Sequence, residues 1–169
     1  MELVILVGLQ AAGKSTFRRS RFDGTHVVVS KDELRNNRRP ARRQEQLIRT
    51  ALAAGRSVIV DNTNSRQEDR AQLVALAREY SAKAVAYFLP LSVPESIRRN
   101  ARREGRERVP DIGVYATARV FTAPTWEEGF DELYEVLVED DHSIVIRSMS
   151  REPGASTGTA VPPLDAKIS

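Results

Sequence analysis

Nine residues near the amino end, Gly8-Leu9-Gln10-Ala11-Ala12-Gly13-Lys14-Ser15-Thr16, carry the pattern GxxxxGK[ST]. Successive backbone N–H groups of such a loop can surround phosphate oxygens, and a helix beginning near Lys14 points its positive end at them. Lys14 is expected to reach the β and γ phosphates, and Ser15 to offer its hydroxyl to Mg²⁺. Gly8, Ala11, Ala12, Gly13, Lys14, Ser15 and Thr16 are thus the expected nucleotide-binding residues, with a nucleoside triphosphate and Mg²⁺ as ligands. The pattern carries this meaning only between a strand and a helix, and the apolar run at 3–7 supplies the strand.

Two further polar segments follow apolar runs. Asp61 comes directly after Ser57-Val58-Ile59-Val60, the place of the acid that orders the Mg²⁺ shell or the Ser15 hydroxyl in phosphate-loop enzymes; otherwise it is a turn aspartate. After the run at 26–29 comes Ser30-Lys31-Asp32-Glu33-Leu34-Arg35. Asp32 has two readings, a cap for a following helix or a carboxylate that accepts the proton of an attacking hydroxyl. Arg35 stands three residues on, within reach of Asp32 if the segment is helical, and its guanidinium suits an acceptor's phosphate.

The elements that would position these groups alternate along the chain. Strand signals at 3–7, 26–29, 57–60 and 84–89 are separated by helical patterns, as in a parallel sheet with helices on both faces. Leu47, Ile48, Ala51 and Leu52 share a helical face that Gly55 ends. Ser65 with Glu68, and Ser92 with Glu95, have capping-box spacing. Pro110 and Asp111 begin a helix to about Phe121, and a short turn from Thr125 closes at Gly129. Runs at 133–138 and 143–146 read as a fifth strand and an antiparallel edge strand. The expected fold is therefore α/β, a phosphate-loop NTPase with about five mostly parallel strands flanked by helices. Residues 1–147 form the domain, and 148–169, rich in Ser, Gly, Thr and Pro, form a disordered tail.

At 169 residues there is room for one domain with a real core. No apolar stretch is long enough to span a bilayer, so a soluble, cytoplasmic protein is expected. The absence of cysteine excludes disulfides and thiolate metal sites, and His26 and His142 are too few for a structural zinc site. The net charge of +3 matters less than its distribution. Four cationic residues are lysines, whereas arginines gather as Arg35, Arg38, Arg39, Arg42 and Arg43 and again as Arg98, Arg99, Arg102, Arg103, Arg106 and Arg108. The planar guanidinium matches phosphate oxygens two at a time, which points to an anionic partner; the bland alternative is a pair of solvated helix faces.

GLQAAGKSTF, VSKDELR, VDNTN and RNARREGRERVP followed by FTAPTWEEGF together resemble the kinase domain of phage and animal 5′-hydroxyl polynucleotide kinases. They resemble small stand-alone bacterial ATP-binding proteins of that type still more closely. The resemblance covers residues 1 to 138. It implies a nucleoside-kinase-like phosphate-loop fold with an arginine-rich lid, ATP as donor, Mg²⁺ as cofactor, a nucleic-acid 5′-hydroxyl end as acceptor and a place in nucleic-acid repair. By matching position it implies Asp32 as general base, Arg35 on the acceptor phosphate or the transferring phosphoryl group, Asp61 ordering the centre, and Lys14 and Ser15 on the phosphates and metal. Arg103 would be the lid arginine on the β and γ phosphates. The lid segment between Asn100 and Pro110 is one residue longer than in the phage enzyme, which makes Arg102 a second candidate. These residues hold no counterpart of the phosphatase domain found in the phage and animal proteins. Two other readings keep the same fold, a kinase for a small sugar, nucleoside or antibiotic hydroxyl, and a non-catalytic ATP-dependent switch resembling RNA-associated accessory proteins of tRNA modification.

Overall fold

A computed structural model describes residues 1–151. Six strands form one sheet: β1 (Glu2–Val7), β2 (Val27–Val29), β3 (Val58–Val60), β4 (Lys83–Phe88), β5 (Glu132–Val138) and β6 (Ile144–Ser148), in the spatial order β2-β3-β1-β4-β5-β6. The first five pair in parallel; β6 returns antiparallel on β5 through the turn at 139–143. Five helices connect them: α1 (Lys14–Arg21), α2 (Pro40–Ala53), α3 (Gln67–Glu79), α4 (Val93–Ala101) and α5 (Asp111–Val120). The expected α/β fold is the one observed, with the edge strand raising the number of strands to six.

Central β1 is apolar throughout because both of its faces are covered. Leu3, Ile5 and Val7 face a core built with Ile48, Ala51 and Leu52 of α2 and Leu73, Val74 and Ala77 of α3. Val4 and Leu6 face the other side, against Phe17 of α1, Phe22, Leu89, Val136 and Val138. Phe17 is fully buried and meets Phe22 edge-on at 5.6 Å between centroids, a burial that contributes about 2–3 kcal/mol. This packing fixes α1 under the sheet, and with it the direction in which its first turn points.

Two local expectations, both capping boxes, are corrected, and one of the two readings of Asp32 falls away. The Ser65–Glu68 capping box does not form: α3 starts at Gln67 after an extended Arg66 that contributes no side-chain cap, and the Ser65 carbonyl accepts the Thr122 N–H at 2.9 Å instead. Ser92 does cap α4 through the Glu95 N–H at 3.3 Å, but the reciprocal half is missing because Arg98 and Arg99 take the Glu95 carboxylate. No helix follows Asp32. The segment is a run of turns closed by Leu34 N–H to Lys31 O (3.0 Å) and Asn37 N–H to Leu34 O (2.8 Å), and the helix waits for Pro40. At the carboxyl end the expected boundary at 147 falls inside β6. Met149 N–H still donates to Leu133 O at 2.9 Å, Ser150 O accepts from Trp126 Nε1 at 2.9 Å, and the Arg151 guanidinium lies over the Trp126 ring. The rest of the expected tail lies outside the described residues.

Candidate active site

The loops after β1, β2 and β3 meet with the α4–α5 connection around one cleft of about 730 Å³ at the carboxyl end of the sheet. That is where ligands sit in open parallel sheets. Six cationic side chains (Lys14, Arg18, Arg19, Arg35, Arg103 and Arg106) and four carboxylates (Asp32, Glu33, Asp61 and Glu107) line it, a balance that suits a polyanion.

Two glycines shape the floor. A Cβ on Gly8 would stand 2.8 Å from the carbonyl oxygen of Leu89, so only glycine lets the loop leave β1 so close to β4. Gly13 has φ 93° and a Cβ there would stand 2.7 Å from Cβ of Val138; the left-handed turn and the contact with β5 both require glycine. Ala11, Ala12, Gly13, Lys14, Ser15 and Thr16 line the cleft, while Gly8 lies behind it with its N–H on Thr63 O at 3.1 Å.

The Lys14 ammonium curls over its own loop, donating to Gly8 O at 2.8 Å and Leu9 O at 2.7 Å. Burial pushes its pKa down to about 8, partly offset by the Asp61 carboxylate. Ser15 Oγ donates to Asp61 Oδ2 at 3.1 Å, the contact expected from the sequence. Asp61 Oδ2 also accepts from Arg18 Nε at 3.1 Å. A hydroxyl and a carboxylate side by side are hard oxygen donors of the kind Mg²⁺ prefers. Among the described residues no group of three or more His, Cys, Asp or Glu could enclose a metal alone. Ser15 and Asp61 therefore fit a Mg²⁺ that keeps waters and phosphate oxygens as its other ligands. Arg18 went unseen in the sequence reading; its signal is its position on α1, three residues after Ser15 and therefore over the same face.

Asp32 and Arg35 lie at the open side of the cleft. Arg35 donates to Asp32 Oδ1 from Nη2 at 2.8 Å and Nε at 3.2 Å, a contact made by the turns rather than by a helix. The Asp32 side chain is 78% exposed. With no helix beginning there, its carboxylate is not a cap.

The second arginine group divides. Arg98 and Arg99 of α4 hold Glu95, whose carboxyl they keep at about 2, and both reach Asp140. Arg102 faces the same Asp140 at 3.9 Å, away from the cleft. Arg103 and Arg106 line the cleft. Their loop is pinned at its base by Asn100, fully buried, which donates through Nδ2 to Val109 O at 2.6 Å and accepts at Oδ1 from Val109 N–H at 3.1 Å. Gln10, also missed in the sequence, ties both flanking helices to the phosphate loop: its carbonyl accepts from Ser96 Oγ of α4 at 2.7 Å and its Nε2 donates to Thr117 Oγ1 of α5 at 2.8 Å.

The loop after β3 is held by a buried ion pair. All five N–H donors of Arg70 are satisfied, by both carboxylate oxygens of Glu128 at 2.7 Å, by Asn64 O, and by Thr122 O and Oγ1. Asn64, in the left-handed region at φ 44°, donates from Nδ2 to Leu6 O at 2.7 Å, so the Asp61–Asn64 turn is fastened to the end of β1. The FTAPTWEEGF segment thus supplies the anchor of this loop, through an Arg70 that stands 58 residues before Glu128.

This fold and loop define a P-loop nucleotide-binding domain of the kinase type. The AAA_33 family model, an AAA domain, matches residues 3–124, and the chain belongs to that family. A bifunctional polynucleotide phosphatase/kinase of Schizosaccharomyces pombe is 29% identical over 141 residues, covering 80% of this chain and 33% of that protein. The chain therefore spans about a third of that relative's length. Among solved structures, a gluconokinase from Sinorhizobium meliloti 1021 is similar with a TM-score of 0.61 at 18% identity, over 82% of this chain and 83% of that one. Chaetomium thermophilum Kti12 in complex with ADP-AlF3 is similar at 0.56 and 17%, over 83% and 92%. Both likenesses are of fold. No helix among the described residues is long and apolar enough to cross a membrane.

Proposed function

We propose that this protein is an ATP- and Mg²⁺-dependent kinase that transfers the γ-phosphoryl group to the 5′-hydroxyl end of a nucleic acid. The observation that carries the reading is an exposed carboxylate with a guanidinium on it, Asp32 with Arg35, facing the same cleft as Lys14, Ser15 and Asp61. A protein that only binds and releases nucleotide needs the second set but not the first. The name of the fission-yeast relative favours a polynucleotide acceptor.

In this reading Lys14 and the loop N–H groups hold the β and γ phosphates, and Ser15 and Asp61 hold the metal, which supplies charge neutralisation on the phosphate oxygens. Asp32 accepts the proton of the 5′-hydroxyl as its oxygen bonds to the γ phosphorus. The bond from that phosphorus to the β–γ bridging oxygen breaks and ADP leaves. Arg35 turns from Asp32 to the acceptor's phosphate, and Arg103 stabilises the charge on the transferring oxygens. Arg102, facing Asp140, is outside the reaction.

The test is transfer of label from γ-labelled ATP to a 5′-hydroxyl oligonucleotide, to its 5′-phosphorylated counterpart, and to gluconate, nucleosides and aminoglycosides. Labelling of the 5′-hydroxyl strand alone is expected. Labelling of a small alcohol alone would replace the acceptor, and hydrolysis or binding without transfer to any hydroxyl would favour the switch.

A further inference from the structure

The two arginine groups look alike in sequence and differ in their surroundings. In the second group Arg98, Arg99 and Arg102 lie against Glu95 and Asp140, and Arg103 and Arg106 line the cleft. In the first group Arg38, Arg39, Arg42 and Arg43 are all exposed, and none forms an ion pair among the described residues; Arg43 reaches only the neutral Gln46. Residues 34–44 contain five arginines and no acid. The first acid along α2, Glu45, is taken by Arg49.

The placement adds to the charge. Asn36 lines the cleft, and Arg38 and Arg39 follow two and three residues later, so they begin within about 7–11 Å of it. Arg39 is the cap residue of α2 and contributes no side-chain hydrogen bond, and the first turn contains no acid. The positive end of a helix and four guanidiniums are gathered within residues 38–43, which raises the electrostatic energy of the folded chain by itself and lowers it when an anion arrives. Residues 31–56 include no aromatic side chain, so this surface offers charge without a stacking platform.

We infer that Arg38, Arg39, Arg42 and Arg43 form a track for the sugar-phosphate backbone of the acceptor strand, behind the 5′-terminal nucleotide held at Asp32 and Arg35. The inference rests on the polynucleotide reading and extends it from the end of the strand to its following phosphates. Contacts of this kind position a strand without reading its bases. The track therefore discriminates a polymer from a mononucleotide, and not one sequence from another.

The experiment compares the wild type with the variant Arg38→Gln, Arg39→Gln, Arg42→Gln, Arg43→Gln on two acceptors, a short 5′-hydroxyl oligonucleotide and a nucleoside 3′-monophosphate. For the oligonucleotide, KM should rise at least about tenfold near 0.1 M salt, and the slope of log KM against log salt should fall by about 0.7 for each phosphate left without its guanidinium. The mononucleotide should be phosphorylated as by the wild type, and the corresponding four-lysine variant should keep most of the salt slope. An unchanged oligonucleotide KM, an equal rise for both acceptors, or the same weakening with lysines would overturn the track. If no 5′-hydroxyl is phosphorylated at all, the functional reading fails separately. Fluorescence anisotropy of a labelled oligonucleotide then still decides the track, since equal affinity of the wild type and the glutamine variant would overturn it.

Discussion

The loops after β2 and β3 both face the cleft, yet they are built in opposite ways. The β3 loop, half-buried from Asp61 to Thr63 and buried at Asn64 and Ser65, is over-determined. Arg70 beneath it is fully enclosed with every donor satisfied, and Gly8 and Leu6 bind the loop to the start of the phosphate loop. The β2 loop is a chain of turns with an exposed ion pair, anchored by Lys31 N–H to Asn62 Oδ1 at 2.8 Å, which is itself part of the β3 loop. The phosphate side of the cleft is thus held rigidly while the opposite side stays open. In the proposed reaction that is the division needed between a donor that is always the same molecule and an acceptor that must enter as one end of a polymer. Stability and activity should accordingly separate when the two loops are mutated.

The largest effect is expected on the phosphate loop that both of them face, in Lys14→Ala. Lys14 is the cation that the phosphate loop itself supplies to the β and γ phosphates, so transfer of label should become undetectable while the circular dichroism spectrum is retained. Appreciable turnover would break the assignment of the phosphate side. On the open loop, Asp32→Asn keeps size and removes the basic oxygen; transfer should fall by about 10²–10⁴ with ATP affinity unchanged. Because the Asp32–Arg35 pair is exposed, unfolding free energy should move by less than about 1 kcal/mol. A large loss of stability with modest loss of rate would make this loop structural and erase the contrast.

The buried loop should behave in reverse. Arg70→Met leaves the enclosed Glu128 carboxylate without its counter-charge, on the Thr125 N–H alone, and should cost about 3–5 kcal/mol in urea denaturation. Arg70→Met combined with Glu128→Leu should recover much of that loss, since two apolar groups leave no charge enclosed. Failure of the double variant to recover would show that the hydrogen bonds to Asn64 and Thr122 carry the anchor.

The smallest effect sharpens the comparison through pH. Without nucleotide the Lys14 ammonium loses its proton near pH 8, and the cation is the form that binds a triphosphate. The bound anion raises that pKa, so binding above pH 8 takes up a proton. ATP affinity should be flat below that pH and fall by up to about tenfold per unit above it. Calorimetry in two buffers of different ionisation enthalpy reads the uptake directly. Equal heats in both at about pH 9 would mean that burial does not perturb the lysine.

Much of this was legible in the sequence because its causes are local. The phosphate loop, the five parallel strands and the acid after β3 each follow from a short run of residue types, and the fold assembled from them is the one observed. What was not legible depends on distant partners. Nothing around Arg70 announces that it will be enclosed, since Glu128 and Thr122 are 58 and 52 residues away. The two arginine groups could not be told apart because Asp140, which occupies Arg98, is 42 residues on. Ser65 and Glu68 have the residue types of a capping box, but the cap position falls one residue later, on Arg66. Asp32 and Arg35 were placed together correctly for a different reason, since turns bring i and i+3 together as a helix does.

The amide of Asn100 makes the backbone from 100 to 109 a closed ring, with Arg103 and Arg106 as its pendants. A ring closed while the chain folds has already lost the entropy that an open loop of that length would lose at every catalytic cycle. In the proposed reaction the ring brings Arg103 onto the phosphates as one body, and the Val109 amide should resist hydrogen exchange with or without nucleotide. In that reading the two arginines arrive on one pre-closed backbone, and the rate of the lid becomes the rate of a hinge rather than of a folding segment.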